Sequence, residues 1–264
     1  MRTFLLGCMC LALAACASGY EQFYTPVPAG PVAIEPFAGQ PSLIQSTGNP
    51  SGDVDAMYTR GFGPVGSASF NGPMQNVTGA IAQGRKVGAQ YIVVSQQYAR
   101  TVSGVIPMTT FSPQTSYTSG TVNAYGSGGY ATGTYTGTST TYNSQTAYIP
   151  YSVERYDQQA IFFAPLARQG VGLRVLEISP QDAQRLGTQK GVIVSAVRRG
   201  SPAFDADILP GDLLTSIGGH TVFDREGTMT QLLAAYGSDV EMTLVRRGAV
   251  STKTVHIPAG GVWN

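Results

Sequence analysis

The chain has 264 residues, with 16 Lys plus Arg against 15 Asp plus Glu and a formal net charge of +1. Charged residues make up 12% of it, about half the share of an ordinary globular domain, while hydrophobic residues make up 42%. So little positive charge excludes a nucleic-acid binder working by bulk phosphate neutralisation. The apolar content excludes disorder of the highly charged kind. The charge is also uneven: residues 101–153 contain no Asp, Glu, Lys or Arg at all.

At the N-terminus, Arg2 precedes an apolar run, Phe4 to Ala14. The run is shorter than the ~20 residues a membrane-spanning helix needs. It closes on Leu13-Ala14-Ala15-Cys16. This resembles the lipobox of bacterial lipoproteins, which implies that residues 1–15 are a signal peptide and that Cys16 is acylated. The other cysteines, Cys8 and Cys10, would leave with the signal, so the mature chain would form no intrachain disulfide. A lipid on Cys16 would anchor the protein to a membrane without crossing it. By resemblance to lipoprotein sorting, Ala17 and Ser18 imply the outer membrane, with the chain facing the periplasm. Residues 16–50 carry Pro26, Pro28, Pro31, Pro36, Pro41 and Pro50 and read as a Pro-rich tether.

Residues 51–164 read as a small α/β module. Phe62 to Phe70 has the pattern of a strand. Met74, Val77 and Ile81 fall on one helical face, with a stop at Gly88, and Tyr91 to Ser95 is a buried-type strand. The Gly88-Ala89-Gln90 passage into Tyr91-Ile92-Val93-Val94 resembles small periplasmic α/β domains of bacterial lipoproteins. Acids are sparse here (Asp53, Asp55, Glu154, Asp157), and no His or Cys joins them, so a structural role is expected.

Inside this module, residues 101–153 form an uncharged insertion dominated by 13 Thr, 8 Ser, 7 Gly and 7 Tyr, a low-complexity composition. From Tyr130 to Tyr142, Tyr or Thr recurs at every second residue, the period of a strand. Gly126 to Gly129 offers a turn back onto Tyr117–Tyr125. Two readings stand open: a Gly/Ser/Thr loop, or a β-hairpin that docks on a partner or glycan through its Tyr rings. Arg155 to Ala164 then reads as the strand closing the module's sheet.

In the last third, residues 165–260, a strand at Leu173 is followed by Ser179-Pro180, a helix cap with Pro at its first position. Gly187 suits the end of that helix. Val192 to Val197 and Leu213 to Ile217 read as strands. Thr228-Met229-Thr230-Gln231 matches a capping box opening a helix to Tyr236. Val240, Met242 and Leu244 alternate, Arg247-Gly248 turns the chain, and Val250 to Ile257 closes a hairpin.

Four stretches, Gly170-Val171-Gly172-Leu173-Arg174-Val175, Gly191 to Val197, Gly200-Ser201-Pro202-Ala203 and Leu209 to Gly219, occur in the order and spacing that resemble a PDZ domain of the HtrA-protease type. One departure from the family pattern is Ala206-Asp207-Ile208, where Gly is usual; Asp tolerates left-handed backbone better than most residues. The expected fold class is α+β: the small α/β module with its insertion, then a partly open β-barrel capped by two helices. The resemblance implies that an extended peptide adds as a strand beside the sheet edge. Gly170, Val171 and Gly172 would cradle its carboxylate, and Leu173, Arg174 and Val175 would offer backbone partners. The other wall would be a helix bearing Met229, Leu232, Leu233 and Tyr236. Ligands ending in an apolar residue are expected. Arg174 reads either as an attraction for acidic peptides or as a solvated strand residue.

A protease would need a further domain supplying a nucleophile and its base. The chain has only His220 and His256, both in the PDZ-like stretch, and no Gly-x-Ser-x-Gly. Neither enzyme activity, a metal nor a cofactor is expected. The expectation is a non-enzymatic, lipid-anchored envelope protein binding peptides or protein C-termini. The alternative is a structural lipoprotein in which the PDZ is a packing module and the Tyr/Thr segment makes the main contact.

Overall fold

The computed structural model describes residues 17–28, 33–167 and 170–259. Cys16 and residues 1–15, the expected signal peptide, lie outside the described residues, as do Arg168 and Gln169.

The N-terminal elements are α1 (Gly19–Gln22), β1 (Tyr24–Pro26), β2 (Ser42–Gln45), α2 (Pro50–Thr59), β3 (Phe62–Gly72), α3 (Thr78–Lys86), β4 (Tyr91–Gly126) and β5 (Gly129–Pro165). They build one sheet in the order β1-β3-β5-β4-β2. β2 runs parallel to β4, and β3 is antiparallel to both β1 and β5. Successive side chains on a strand point to opposite faces. Phe162 therefore packs with Tyr20, Ala80 and Ile92 on one face, and Phe163 with Met57 and Val93 on the other. Burial on both sides explains why Ile161-Phe162-Phe163-Ala164 is a continuous apolar run.

Parts of the expected tether belong to this module: two short strands join the sheet and α1 packs on it. Tyr20 is fully buried, its ring edge-on to Phe70 at 5.1 Å. Tyr24 pairs with Ala68 in the β1–β3 ladder, and Leu43 with Ile92 in the β2–β4 ladder. The prolines fit because of where they fall: Pro26 on an edge strand and Pro50 at the first turn of α2, places that need no backbone N–H. The α3 stripe is also shorter than expected. Met74 lies outside the helix and is exposed. Residues before Thr78 are held in a turn, where Gln75 N donates to Gln158 Oε1 (2.8 Å) and Thr78 N to Asn76 Oδ1 (2.9 Å).

α2 is capped by Asn49, whose side chain accepts from Gly52 N. Its Asp53 is buried and accepts from Ser46 Oγ (2.5 Å), Thr47 Oγ1 (2.7 Å) and Thr47 N. Burial pushes the Asp53 carboxyl up, but these donors outweigh it and hold the group below its ordinary 3.8. Asp53→Ala leaves those donors unpaired and should cost about 1–3 kcal/mol at neutral pH. A depressed carboxylate stabilises above its unfolded value and loses that contribution as pH falls through the folded one. The gap in urea midpoint between Asp53→Ala and the parent chain should therefore be full above pH ~5 and narrow below pH ~4.

Residues 100–155 form a separate unit, a hairpin made by the distal parts of β4 and β5. Of the two readings open for this stretch, the hairpin is the one observed. The rings of Tyr125 and Tyr130 meet at 5.1 Å beside the turn, and Thr109 Oγ1 lies 3.0 Å from Thr146 Oγ1 across the strands.

The C-terminal part comprises β6 (Leu173–Glu177), α4 (Pro180–Leu186), β7 (Val192–Val197), α5 (Pro202–Asp205), β8 (Leu213–Ile217), β9 (His220–Thr221), α6 (Arg225–Ala234), β10 (Asp239–Arg246) and β11 (Ala249–His256). The sheet order is β11-β10-β8-β7-β6, with β9 paired to β8. Val192, Val194, Leu214, Ile217, Met242 and Leu244 form its core. α4 has the expected Ser179 cap and left-handed Gly187. Asp207 takes φ +58°, and its carboxylate is held low by Arg246 and Lys253. α6 begins three residues before the expected capping box. Asp224 caps it, accepting from Gly227 N at 2.7 Å, while Thr228 lies inside the first turn and donates to Asp224 O at 2.6 Å.

Candidate binding groove

β6 is an edge strand, paired with β7 on one side only. The loop leading into it is shaped by two left-handed glycines, Gly170 (φ +90°) and Gly172 (φ +78°). A Cβ on Gly172 would fall 2.2 Å from the Cβ of Ser201, the fully buried cap of α5. The loop carbonyls are turned inward: Val171 O accepts from Ala203 N (3.0 Å) and Gly172 O from Arg198 N (2.9 Å). In a trans peptide the N–H opposes the C=O, so the amides of Gly172 and Leu173 turn the other way, toward the open edge.

Two cavities follow that edge. A small one of about 30 Å³ lies at the loop, lined by Gly170, Val171, Gly172, Leu173, Arg198, Met229, Leu232 and Tyr236 together with Tyr58. A larger one of about 270 Å³ runs between β6 and α6. Its walls include Leu173, Arg174, Val175, Met229 and Leu232, with Val54, Tyr58 and Pro64 contributed by the first sheet and its α2 helix.

The anticipated residues thus divide. Gly170, Val171, Gly172, Leu173, Arg174, Val175, Met229, Leu232 and Tyr236 line one or both cavities. Leu232 is also buried in the core. Leu233 lines neither cavity and is 36% exposed, because it sits one step, about 100° of helix rotation, past Leu232. Arg174 fits neither of its two readings. Its guanidinium is half-buried, ion-paired to Asp55 of α2 and 3.0 Å from Ser195 Oγ.

Among the lining residues outside the expectation, Arg198 and Tyr58 stand at the glycine loop. Arg198 is 8% exposed and donates to Ala167 O (2.8 Å), setting a positive charge beside the glycine loop. Tyr58 comes from α2 and donates its hydroxyl to Leu173 O at 3.0 Å. Burial pushes the Tyr58 hydroxyl up to about 12, against the opposing pull of Arg198 and Arg174, so it stays protonated and a donor. Arg198 was legible as a cation next to the second strand of the motif. Tyr58 carried no such signal, being more than a hundred residues away in sequence.

Residues 170–257 match the family model described as PDZ domain, about a third of the chain. No curated protein matches the sequence. Among solved structures, the chain is similar to the HtrA-type protease AlgW with decapeptide, at 23% identity over 39% of this chain and 38% of that one, TM-score 0.32. It is also similar to the HtrA3 PDZ domain bound to a phage-derived ligand, at 20% identity over 33% of this chain and 81% of that one, TM-score 0.30. The chain therefore spans less than half of AlgW. With its edge strand, glycine loop and facing helix, the matched segment, residues 170–257, is a PDZ domain.

Proposed function

We propose that this PDZ domain binds an extended peptide by strand addition along β6, and that the protein is a non-enzymatic, lipid-anchored component of the cell envelope. The observation that carries the peptide reading is the open edge of β6 facing α6 across an apolar cavity of about 270 Å³. Main-chain groups on such an edge supply affinity, and the cavity wall supplies side-chain preference. Leu173, Met229 and Leu232 line both cavities and keep the wall apolar as far as the loop, which favours ligands ending in an apolar residue. Arg198 and the outward amides of Gly172 and Leu173 favour a carboxylate at the loop. The anchor reading rests on the lipobox-like sequence ending at Cys16. The sorting signal after Cys16 supports placement in the outer membrane facing the periplasm. Among the described residues no three His, Cys, Asp or Glu side chains gather as a metal site.

The test is a screen of C-terminal peptides, with free and amidated ends, against the full mature chain. Met229→Glu puts a charge into the apolar wall from a partly exposed helix position. It should weaken binding at least about tenfold while leaving the melting temperature nearly unchanged. Retained affinity in that variant would sink the groove assignment. Cys16→Ser should abolish fatty-acid labelling and membrane fractionation; continued labelling would refute the anchor.

A second reading has one specific observation in its favour. The hairpin of residues 100–155 exposes Phe111, Tyr117, Tyr125, Tyr142 and Tyr148. An assembly role through that surface predicts that deleting 101–153 removes crosslinked partners while peptide binding persists.

A further inference from the structure

Along β6 the backbone carbonyls alternate in direction. Gly172 O accepts from Arg198 N (2.9 Å) and Arg174 O from Ser195 Oγ (3.2 Å), so both point toward β7. Leu173 O lies between them and must point outward, to the open edge. It is the first outward carbonyl after the glycine loop. A strand added to this edge with its terminus at the loop would give its last backbone N–H to that oxygen. That oxygen already accepts from the Tyr58 hydroxyl at 3.0 Å, and the Tyr58 side chain lines the loop cavity where the end of such a strand would lie.

Tyr58 does not reach the edge alone. The helix that carries it, α2, is tied to the same strand by the Asp55–Arg174 ion pair and to the end of β7 by Arg199 N donating to Thr59 O at 3.1 Å. With Tyr58 in place, the cavity at the loop holds about 30 Å³, room for a water or two and too little for an apolar side chain with its carboxylate. The 270 Å³ cavity farther along β6 stays open. The obstruction is therefore local to the end of the groove where a free C-terminus would sit.

We infer that α2 is a built-in competitor for the carboxylate end of the PDZ groove, with Tyr58 standing in for the last backbone N–H of the ligand, so that a free C-terminus seats fully only when α2 withdraws. This rests on the peptide-binding reading above and adds its regulation. Withdrawal exchanges the Tyr58 bond for the ligand's own N–H and releases Arg174 from Asp55. The coupling runs both ways: whatever pulls α2 off the edge raises peptide affinity, and peptide binding loosens α2.

The experiment uses the full mature chain and fluorescent peptides ending in Leu or Val, each with a free and an amidated C-terminus. Tyr58→Phe removes the donor and keeps the ring. It should raise affinity for free-carboxylate peptides by about threefold to tenfold. Tyr58→Ala, which also empties the loop cavity, should raise it further. Asp55→Ala should act in the same direction through Arg174. Amidated peptides should gain much less, since they profit less from the loop. Hydrogen exchange should speed up in residues 50–59 when peptide is added to the parent chain, a readout independent of any variant. Melting temperatures confirm that each variant is folded. Peptide binding by the parent chain with unchanged or weaker affinity in Tyr58→Phe and Asp55→Ala, and no change in α2 exchange, overturns the competitor role and leaves the peptide reading intact. Absence of binding in the parent and in every variant overturns both. Binding that appears only in the variants supports both.

Discussion

Phe162→Ala should destabilise the chain by about 3–5 kcal/mol, a large share of the roughly 5–15 kcal/mol that holds a typical domain folded. Phe162 is fully buried in the face of the sheet covered by α1 and α3. Its ring meets Tyr24 edge-on at 5.6 Å. The Tyr24 ring can lie there because it crosses Gly66 of β3, where a Cβ would fall 2.3 Å from it. Removing the phenyl ring thus empties a fully buried site beside the Tyr24 ring, and the cavity left behind adds to the lost burial. Phe111→Ala is the matched control. Phe111 is 69% exposed on the hairpin, so its loss should change stability by no more than about 0.5 kcal/mol. Urea unfolding of both variants reads the contrast directly. Equal midpoints would show that the sheet does not carry the stability assigned to it.

Gly172→Ala should both destabilise the PDZ domain and weaken capture of free-carboxylate peptides. Two effects add at this residue. The left-handed backbone costs an L-residue about 1 kcal/mol, and the new methyl would overlap Ser201, forcing the loop away from α5. That movement swings the outward amides of Gly172 and Leu173 out of register with a ligand, so binding should fall at least about tenfold. Gly187→Ala isolates the first effect. Gly187 is also left-handed, at φ +67°, but its Cβ would meet nothing within 4 Å. It should cost about 1 kcal/mol and leave peptide affinity unchanged. Loss of binding in both variants would mean that global stability, and not loop geometry, governs the groove.

The PDZ portion was highly legible because its signals are local. Ser179-Pro180 and Gly187 set the ends of α4 from side-chain caps and a left-handed turn alone. Val240, Met242 and Leu244 alternate because one face of β10 meets the core. α6 starts earlier than its Thr228 capping box implies because two caps compete within five residues. Asp224 wins by accepting from Gly227 N, which leaves the hydroxyl of Thr228 to bond back to Asp224 O. The segment before α2 departs from its tether-like composition for a different reason. Proline density there resembles a tether, but a proline on an edge strand or at a helix start removes no needed bond, so composition could not distinguish tether from sheet edge.

By itself the sequence determined the strand–helix order of the PDZ domain; its resemblance to that family implied the glycine loop and an apolar wall with Met229 and Leu232, and the uncharged repeat stood open between loop and hairpin. The strand–helix order follows from periodicity, caps and turn chemistry, which act over a few residues. Only the tertiary structure decided that Arg174 is neutralised by Asp55, that Leu233 faces away from the groove, and that Tyr58 occupies the outward carbonyl of Leu173. Those contacts join residues up to 119 positions apart. No local pattern encodes such a pairing, because it depends on how α2 and the first sheet pack against β6 and β7, a choice made by burial over the whole fold.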